Sequence, residues 1–406
     1  MLVLLKMVSQ LVFRLQSSFI PSRRIRKGIL MKRMIPVIPM AVGMAVFLPF
    51  SQSIGELTAQ EREYNIVHPR ATFDGEPFDP IETTVEYEAH PSTQDPSVRV
   101  TLEDLRRWET ELSNWGRWGT NDQRGTLNYI TPRKAQEAAA LVEDGVAVSV
   151  QHFVQWEPSL ESWRFAPAER WHSHMVLDVM SFSTHDGTLS HMDAICHYPG
   201  ARDSPSRRGE PGEEQVIFNG YPYVVDHFGG CENLSIKQMG SAYVTRGVLY
   251  DIAHLRGEDW LEPSTPIYVE DLEEWEEYAG VQVGPGDVLM VRTGRWAKTE
   301  AEGAWAYNRG GAGLHASVLP WLHERGVAAL VGDAANDVQP SGVDGINRPV
   351  HQVGMMVLGL AFVDNGYLEN VAREARERDR WEFMLSWQLW PIPGGTASPF
   401  NALATF

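Results

Sequence analysis

One stretch limits the fold of this chain more than any other feature: the thirteen residues from His185 to His197 hold three histidines and two aspartates. In an α-helix, His191 and Asp193 would project about 200° apart, because a helix completes a turn every 3.6 residues. In a β-strand, residues two apart face the same side, so both side chains can reach one cation. The stretch therefore predicts a strand in which His191 and Asp193 form a ligand pair.

His185 and His197 share the parity of that pair but lie far along the chain from it. Each is six residues from His191, or roughly 20 Å in an extended strand, whereas metal–ligand bonds are about 2 Å long. The chain must therefore bend on both sides if all four are to converge. Gly187 is the expected bend on the first side, because glycine adopts dihedral angles closed to other residues. The alternative is a plain strand whose polar side chains are satisfied by backbone groups, which would require many partners.

The composition favours a globular protein, and its charge argues against a nucleic-acid partner. Of the 406 residues, 43% are hydrophobic, which is enough for a substantial core. The formal net charge is -18, whereas phosphate binding needs a basic surface. We therefore expect no nucleic-acid partner.

The two cysteines, Cys196 and Cys231, allow one disulfide bridge at most. Cys196 lies inside the histidine-rich stretch, so a nucleophile or a thiolate ligand is an alternative interpretation. A strand would turn it to the face opposite His191 and Asp193. We therefore do not predict a catalytic role for it.

Residues 1–53 differ from the rest of the chain. Basic residues between Arg23 and Arg33 precede an apolar run from Met34 to Phe50, which prolines interrupt and small residues follow. This order is typical of a secretory signal, whereas a spanning helix needs about 20 uninterrupted apolar residues. We expect cleavage, no stable membrane span afterwards, and export to the periplasm or outside the cell. The protein would be cytoplasmic if the segment is not a working signal, and Met31 is the expected start of that signal.

The remaining chain divides into an acidic arm over residues 54–100 and one domain over residues 101–406. The arm is proline-containing and weakly periodic, and we expect it to be ordered only against the body or a second subunit. Apolar periodicity and caps predict helices in the domain, and short apolar runs predict buried strands. Three helices are predicted: one that Thr101 caps and whose periodicity runs to Trp115, one that Thr131 caps and that runs through Leu141, and one over 367–378. The predicted strands cover 146–150, 247–253, 288–291 and 327–332.

Mixed helices and strands predict an α/β or α+β fold with a central sheet. The segment 200–214 is rich in Pro, Gly, Ser and charged residues. It predicts a loop near the site, acting either as a lid or as a solvated insertion.

Five polar residues further along the chain are candidates for the same site. His351 and Asp364 flank an apolar segment; alternatively, the histidine is an ordinary core or surface residue and the aspartate caps a helix. Asp333, Asn336 and Asp337 follow a predicted strand, at the sheet end where α/β proteins place functional groups. Simple turn chemistry explains these three equally well.

The histidine-rich stretch resembles the hallmark H-x-G-T-H-x-D-x-P-x-H of the metal-dependent cyclase family, which includes bacterial kynurenine formamidase and isatin hydrolase. Two extra residues separate His185 from His191, and Ile195 replaces the proline. The similarity covers about residues 105–406 and points to the longer-chain branch of the family. Further segments that carry it are Asn114–Gly119, Arg246–Asp251, Gly286–Leu289, Pro349–Gln352 and Gly394–Pro399.

The resemblance implies a fold, an oligomeric state and a set of ligands. The fold would be a swivelling β/β/α-type single α/β domain with a central mixed sheet, assembled as a homodimer or higher homo-oligomer. One or two divalent ions, zinc or manganese, would be bound. His185, His191, Asp193 and His351 fall on ligand positions, and Asp364 lies near the place where short formamidases carry glutamate.

The resemblance also implies an activity, in which His197 falls on the position of the family's catalytic histidine. Metal-activated water would hydrolyse a C–N or C–O bond in a small-molecule substrate: an amide, a formamide (arylformamidase-like), a cyclic imide or a lactone. Tryptophan catabolism enters only as a label of the family. One alternative is ring closure or lactone isomerisation at the same metal; another is a non-catalytic exported metal-binding protein.

Overall fold

The structure is a computed structural model that describes residues 86–152, 164–167, 178–181, 184–185, 187, 189–210, 212–225, 230–240 and 242–406. For 164–167 and 178–181 it describes the backbone alone. The predicted signal segment and residues 54–85 of the predicted arm lie outside the described residues. Within the described ranges, no helix combines the length and the apolarity needed to span a membrane.

The described strands, in chain order, are β1 (Ala147–Ser149), β2 (Arg164–Pro167), β3 (Asp178–Ser181), β4 (His191–Asp193), β5 (Gly200–Ala201), β6 (Ser204–Arg208), β7 (Gln215–Ile217), β8 (Tyr221–Pro222), β9 (Ala242–Asp251), β10 (Pro266–Ile267), β11 (Val288–Arg292), β12 (Gly313–Leu314), β13 (Ala329–Gly332), β14 (Ala361–Asp364), β15 (Glu382–Gln388), β16 (Ala397–Pro399) and β17 (Leu403–Thr405). The described α-helices are α1 (Leu102–Glu111), α2 (Pro132–Ala139), α3 (Ile252–Leu255), α4 (Val269–Ala279), α5 (Arg295–Glu302), α6 (Tyr307–Gly310), α7 (Leu319–Arg325), α8 (Pro349–Val353) and α9 (Glu369–Arg378). A π-helical turn, Gly354–Leu358, follows α8 directly.

One sheet of the described chain holds nine strands, in the order β1-β17-β15-β9-β11-β13-β14-β4-β16. Strands β9, β11, β13 and β14 pair in parallel, whereas β4 pairs antiparallel with β14 on one side and with β16 on the other. Every residue of β11 and β13 is buried, as in a parallel sheet covered on both faces. The predicted α/β fold, a single domain with a central mixed sheet, is confirmed.

The first described helix begins as its sequence predicts. The Thr101 side chain accepts a hydrogen bond from the Asp104 amide, and the Asp104 carboxylate accepts one from the Thr101 amide, at 3.3 and 2.9 Å. This reciprocal capping satisfies two backbone donors that the helix leaves unpaired. Helix α1 ends at Glu111, before Trp115, the last residue of its predicted periodicity.

The other predicted elements are present with shifted ends. Helix α2 begins after Thr131, which caps it, and ends at Ala139 rather than Leu141. The predicted strands correspond to β1, β9, β11 and β13, of which β9 begins earlier, at Ala242. The last predicted helix is α9, which begins at Glu369.

The prediction of a loop over 200–214 is wrong. Strands β5 and β6 lie within it and join β7 and β8 in a small antiparallel sheet. The serines of β6 are stabilised from α1, where the Glu109 carboxylate accepts hydrogen bonds from the hydroxyls of Ser204 and Ser206 at 2.7 and 2.6 Å. These polar residues, which predict a loop, thus form a strand because a distant carboxylate accepts the hydrogen bonds of their buried hydroxyls.

The described end of the predicted arm, residues 86–100, lies against the domain. Ser92 and Tyr268 share a hydrogen bond of 2.7 Å between their hydroxyls. The Gln94 amide donates to the Gly342 carbonyl at 3.0 Å. This part of the arm therefore packs against the domain, which is one of the two arrangements predicted for it.

Candidate metal centre

The centre begins on β4, which presents His191 and Asp193 on one face. The strand is predicted correctly, and the His191 Nε2 atom lies 3.5 Å from the Asp193 Oδ1 atom. His191 Nδ1 lies 2.7 Å from the Leu189 carbonyl oxygen, to which it donates. Because that bond occupies one ring nitrogen, Nε2 is the nitrogen that remains able to bind a metal.

His185 reaches the same carboxylate from a turn that precedes β4. Its Nδ1 atom is 3.1 Å from Asp193 Oδ1, and its Nε2 atom is 2.9 Å from the Thr396 hydroxyl. Thr396 adjoins β16, whose Ala397 is the register partner of Asp193. Strand pairing therefore places the hydroxyl that orients His185.

The bend between His185 and β4 forms at Gly187, but for a different reason from the one predicted. The Gly187 carbonyl accepts hydrogen bonds from Arg295 Nη2 at 2.8 Å and from the Tyr307 hydroxyl at 2.5 Å. A Cβ atom at this position would overlap the Tyr307 hydroxyl. Close approach of Tyr307, not a left-handed backbone, requires the glycine here.

A second group of ligand atoms adjoins the first and shares Asp193. Asp364 ends β14, and its register partner across the antiparallel pair is His191. His351, on α8, places its Nε2 atom 3.4 Å from Asp364 Oδ1 and 3.9 Å from Asp193 Oδ2. We name His185, His191 and Asp193 the first triad, and Asp193, His351 and Asp364 the second triad.

Three further residues orient or neutralise the second triad. Asp337 Oδ2 lies 2.5 Å from His351 Nδ1, and Asn336 donates to Asp364 Oδ1 at 2.7 Å. Arg348 Nη1 lies 3.6 Å from Asp364 Oδ2. Both Asn336 and Asp337 thus contact proposed ligands, whereas turn chemistry was the other interpretation.

Asp333, the third of those candidates, serves the scaffold. Its buried carboxylate accepts hydrogen bonds from the backbone amides of Thr293, Gly294 and Arg295 at 2.7 to 3.2 Å. These amides lie at the start of α5, where unpaired backbone donors favour a carboxylate. Burial raises the pKa of Asp333 despite these bonds.

The donor set fits a divalent cation. Within the described ranges, His185 Nδ1, Asp193 Oδ1 and His351 Nε2 are buried and make no hydrogen bond. Buried polar atoms without partners are costly, yet the ligand atoms of each triad lie within 4.8 Å of one another. Imidazole nitrogens and carboxylate oxygens are the ligands that zinc and manganese take.

The ionisation of the aspartates favours a cation. Burial acts to raise the pKa of Asp193, but the surrounding imidazoles, above all that of His197, outweigh it and hold this pKa below its ordinary value. Burial likewise opposes ionisation of Asp364, whose pKa His351 lowers. Both groups are therefore carboxylates at neutral pH.

His197 lies beside the first triad, and its side chain is half-buried. It ends the 3₁₀ turn Ile195–His197, and its ring stacks on the His185 ring with centroids 3.8 Å apart. Burial lowers the pKa of His197 to about 4, although Asp193 opposes the shift. A neutral imidazole at this position can accept a proton.

Cys196 is not available as a nucleophile or ligand, because its sulfur is bonded to that of Cys231. The bridge joins the turn that carries His197 to the segment 230–240. The single disulfide that the composition allows is therefore present, and the alternative role for Cys196 is excluded.

Sequence reasoning missed Thr396 and Arg348 as residues of the centre. Thr396 lies within a segment that carries the family resemblance, and Arg348 directly precedes another. The similarity of those two segments to the family was the signal that could have identified both residues. The ligand roles of all the named residues, and the catalytic role of His197, stay predictions.

The fold and this cluster define an α/β protein with a His/Asp centre suited to a divalent cation. The family model described as "Putative cyclase" matches residues 138–336. A solved structure described as a novel cyclase is 25% identical, with a TM-score of 0.61 over 73% of this chain and 99% of that chain. These findings confirm the resemblance to the cyclase family, which the family model shows over residues 138–336.

More distant structures are also similar. Isatin hydrolase A from Ralstonia solanacearum is 18% identical, with a TM-score of 0.44 over 68% of this chain and 97% of its own. A predicted metal-dependent hydrolase from Bacillus stearothermophilus is 13% identical, with a TM-score of 0.38 over 64% and 98%. A search of curated proteins found no match.

Proposed function

We propose that this protein is a metal-dependent hydrolase that cleaves a C–N or C–O bond of an amide, a formamide, a cyclic imide or a lactone. The observation that carries the proposal is the pair of triads sharing Asp193. A half-buried imidazole, that of His197, lies beside them. Residues able to bind a metal and a residue able to carry a proton thus lie close together, which supports the proposal.

The residues divide into ligands and orienting groups. Each triad would hold one ion, zinc or manganese, with Asp193 offering one oxygen to each. When bound, a divalent cation acidifies water and polarises an acyl carbonyl. Asp337 and Thr396 fix the rings of His351 and His185, so that the remaining nitrogen of each ring faces the site.

His197 would carry the proton. As a neutral imidazole it takes a proton from the attacking water and returns it to the nitrogen or oxygen that leaves. A new C–O bond forms to the acyl carbon as the bond to the leaving group breaks. The acyl carbon becomes a carboxylate and the leaving group an amine, an amide or an alcohol, which stays in the same molecule when the substrate is a ring. Stacking against His185 holds the ring in place for this transfer.

The test combines metal analysis with a substrate panel. The purified chain is assayed for bound metal and for turnover of N-formyl arylamines, cyclic imides and lactones. We expect stoichiometric metal and turnover of at least one class. Stoichiometric metal without turnover of any class would favour the non-catalytic alternative.

Ring closure or lactone isomerisation is the second candidate, which the cyclase description of the matched family favours. Product analysis separates the two candidates. Hydrolysis adds one water to the substrate, whereas isomerisation leaves the mass unchanged. A mass spectrum of the product therefore decides between them.

We also propose export and a homo-oligomeric state. The Cys196–Cys231 bridge supports export, because disulfides persist mainly in oxidising compartments. Mass spectrometry of the mature N-terminus tests cleavage; a chain that retains residues before Met31 would contradict it. Light scattering tests the oligomer, and a monomer at micromolar concentration would contradict it.

A further inference from the structure

The half-buried guanidinium of Arg348 lies beside the second triad and is the feature from which a further inference follows. Arg348 precedes α8, and its Nη1 atom is 3.6 Å from Asp364 Oδ2. Its side chain is 26% exposed. Among the described residues, no hydrogen bond engages this guanidinium, so its donors stay available to a ligand.

Arg348 does not have the geometry of a structural ion pair. Arg292 forms structural ion pairs: its side chain is 2% exposed, and its guanidinium lies 2.8 Å from carboxylate oxygens of both Asp251 and Glu369. The contact of Arg348 with Asp364 is longer than a hydrogen bond, and Asn336 already donates to the other oxygen of that carboxylate. A loose, partly exposed guanidinium next to a centre is the arrangement expected of a ligand-binding group.

The exposure of the surrounding side chains shows from where a ligand would approach. Asp193 and His351 are buried, whereas His197, Tyr198 and Arg348 are half-buried. The Tyr198 ring lies 5.0 Å from the His197 ring and 5.3 Å from the His351 ring, between centroids. An acyl group that approaches from this half-buried side would meet Tyr198 and Arg348, each of which lies against a residue of the second triad.

We propose that Arg348 binds the acyl oxygen on which negative charge develops during hydrolysis and then the carboxylate product. This inference rests on the proposed hydrolase function. Attack by water turns the acyl carbonyl into an oxyanion, and departure of the amine or alcohol leaves a carboxylate. A guanidinium presents parallel N–H donors that match two carboxylate oxygens, whereas the compact lysine ammonium does not.

The test is calorimetric titration of the zinc-loaded full chain with benzoate, a carboxylate probe that requires no knowledge of the substrate. We expect R348Q to weaken benzoate binding on the order of 10- to 100-fold, the loss of a charge-assisted pair of hydrogen bonds. R348K should retain part of the affinity. R99Q, a matched change at a half-exposed arginine 3.9 Å from Asp344, should bind like the unaltered protein.

Three outcomes would overturn the proposed role of Arg348, and a further one would overturn the hydrolase function on which it rests. Benzoate binding that is absent from the unaltered protein, or equal in R348Q, would remove any role in carboxylate recognition. Loss of zinc from R348Q would show that Arg348 supports the ligand Asp364 instead. If R348Q loses benzoate affinity while the unaltered protein hydrolyses no acyl substrate, the anion site stands and the proposed hydrolase function fails.

Discussion

The two triads share one carboxylate but differ in donors and exposure. The first joins two imidazoles to Asp193, and its His185 side chain is 26% exposed. The second joins one imidazole to two carboxylates, and all three of its residues are buried. A backbone carbonyl and a hydroxyl orient the first triad, whereas a third carboxylate, Asp337, orients the second.

This difference suggests different tasks. Imidazole suits zinc, whereas carboxylate oxygens suit harder cations such as manganese. The first triad adjoins His197, and the second adjoins Arg348. We therefore expect the first triad to lie next to proton transfer and the second to lie next to the acyl oxygen.

The largest effect should come from the residue that both triads share. D193A removes one oxygen ligand from each triad, so bound metal should fall below about one tenth of an ion per chain and turnover by about 10³-fold or more. Elemental analysis and kinetics measure both. D203A, at an exposed aspartate paired with Arg207, is the matched control. Retained stoichiometric metal with turnover would contradict the shared site.

The next effect separates the triads. H185A should remove the ion of the first triad and H351A that of the second, since each substitution leaves all three ligands of the other triad in place. Metal titration should then find one remaining ion in either variant, with H90A as an exposed histidine control. Loss of all metal from either variant would show that the triads are one site.

A smaller effect should follow from removing the groups that orient the ligands. D337N weakens the bond to His351 Nδ1 and should reduce metal affinity about 10- to 100-fold at the second triad. T396A removes a neutral hydroxyl from His185 and should cost less. Competition with a fluorescent chelator measures both affinities. An equal effect of the two variants would contradict the distinction between the triads.

The smallest effect is on the pH dependence of stability and concerns His315, a buried histidine whose pKa no neighbouring carboxylate raises. Burial lowers the pKa of His315 to about 4, whereas Asp364 and Asp337 outweigh burial at His351 and raise its pKa. His315 stays neutral in the fold while the unfolded chain binds a proton below about pH 6.5. Its stabilising contribution is thus complete above that pH and decreases as pH falls toward 4.

Denaturant unfolding of the protein and of H315Q checks this contribution. Between pH 7 and 5 the free energy of unfolding should fall by about 2 kcal/mol less in H315Q than in the unaltered protein, since each pKa unit corresponds to about 1.4 kcal/mol. An identical pH dependence in both proteins would contradict the buried neutral state. An H90Q control excludes a general effect of losing a histidine.

Local periodicity predicts some parts of this centre and not others. The pairing of His191 with Asp193 follows from strand parity alone, and β4 is present. Asp364 reaches His191 only through the antiparallel register of β14 and β4, which no local pattern encodes. Their positions on either side of an apolar segment made His351 and Asp364 candidates, and only the family resemblance implied that they are ligands.

Other features depend on contacts between distant parts of the chain. The turn at Gly187 is held by Arg295 and Tyr307, which follow it by 108 and 120 residues. Strand β6 depends on hydrogen bonds to Glu109, about a hundred residues before it. Because that partner is so distant, the serines of β6 locally predict a loop. Sequence patterns describe short-range preferences, whereas these positions are decided by tertiary partners.

The most direct test of the central claim is an anomalous-diffraction crystal structure of the protein loaded with zinc and manganese. We predict one anomalous peak bounded by His185 Nδ1, His191 Nε2 and Asp193, and a second bounded by Asp193, His351 Nε2 and Asp364. Ligand distances should be about 2.0 to 2.2 Å. Density for these residues without a peak within about 3 Å of Asp193 would contradict the metal centre.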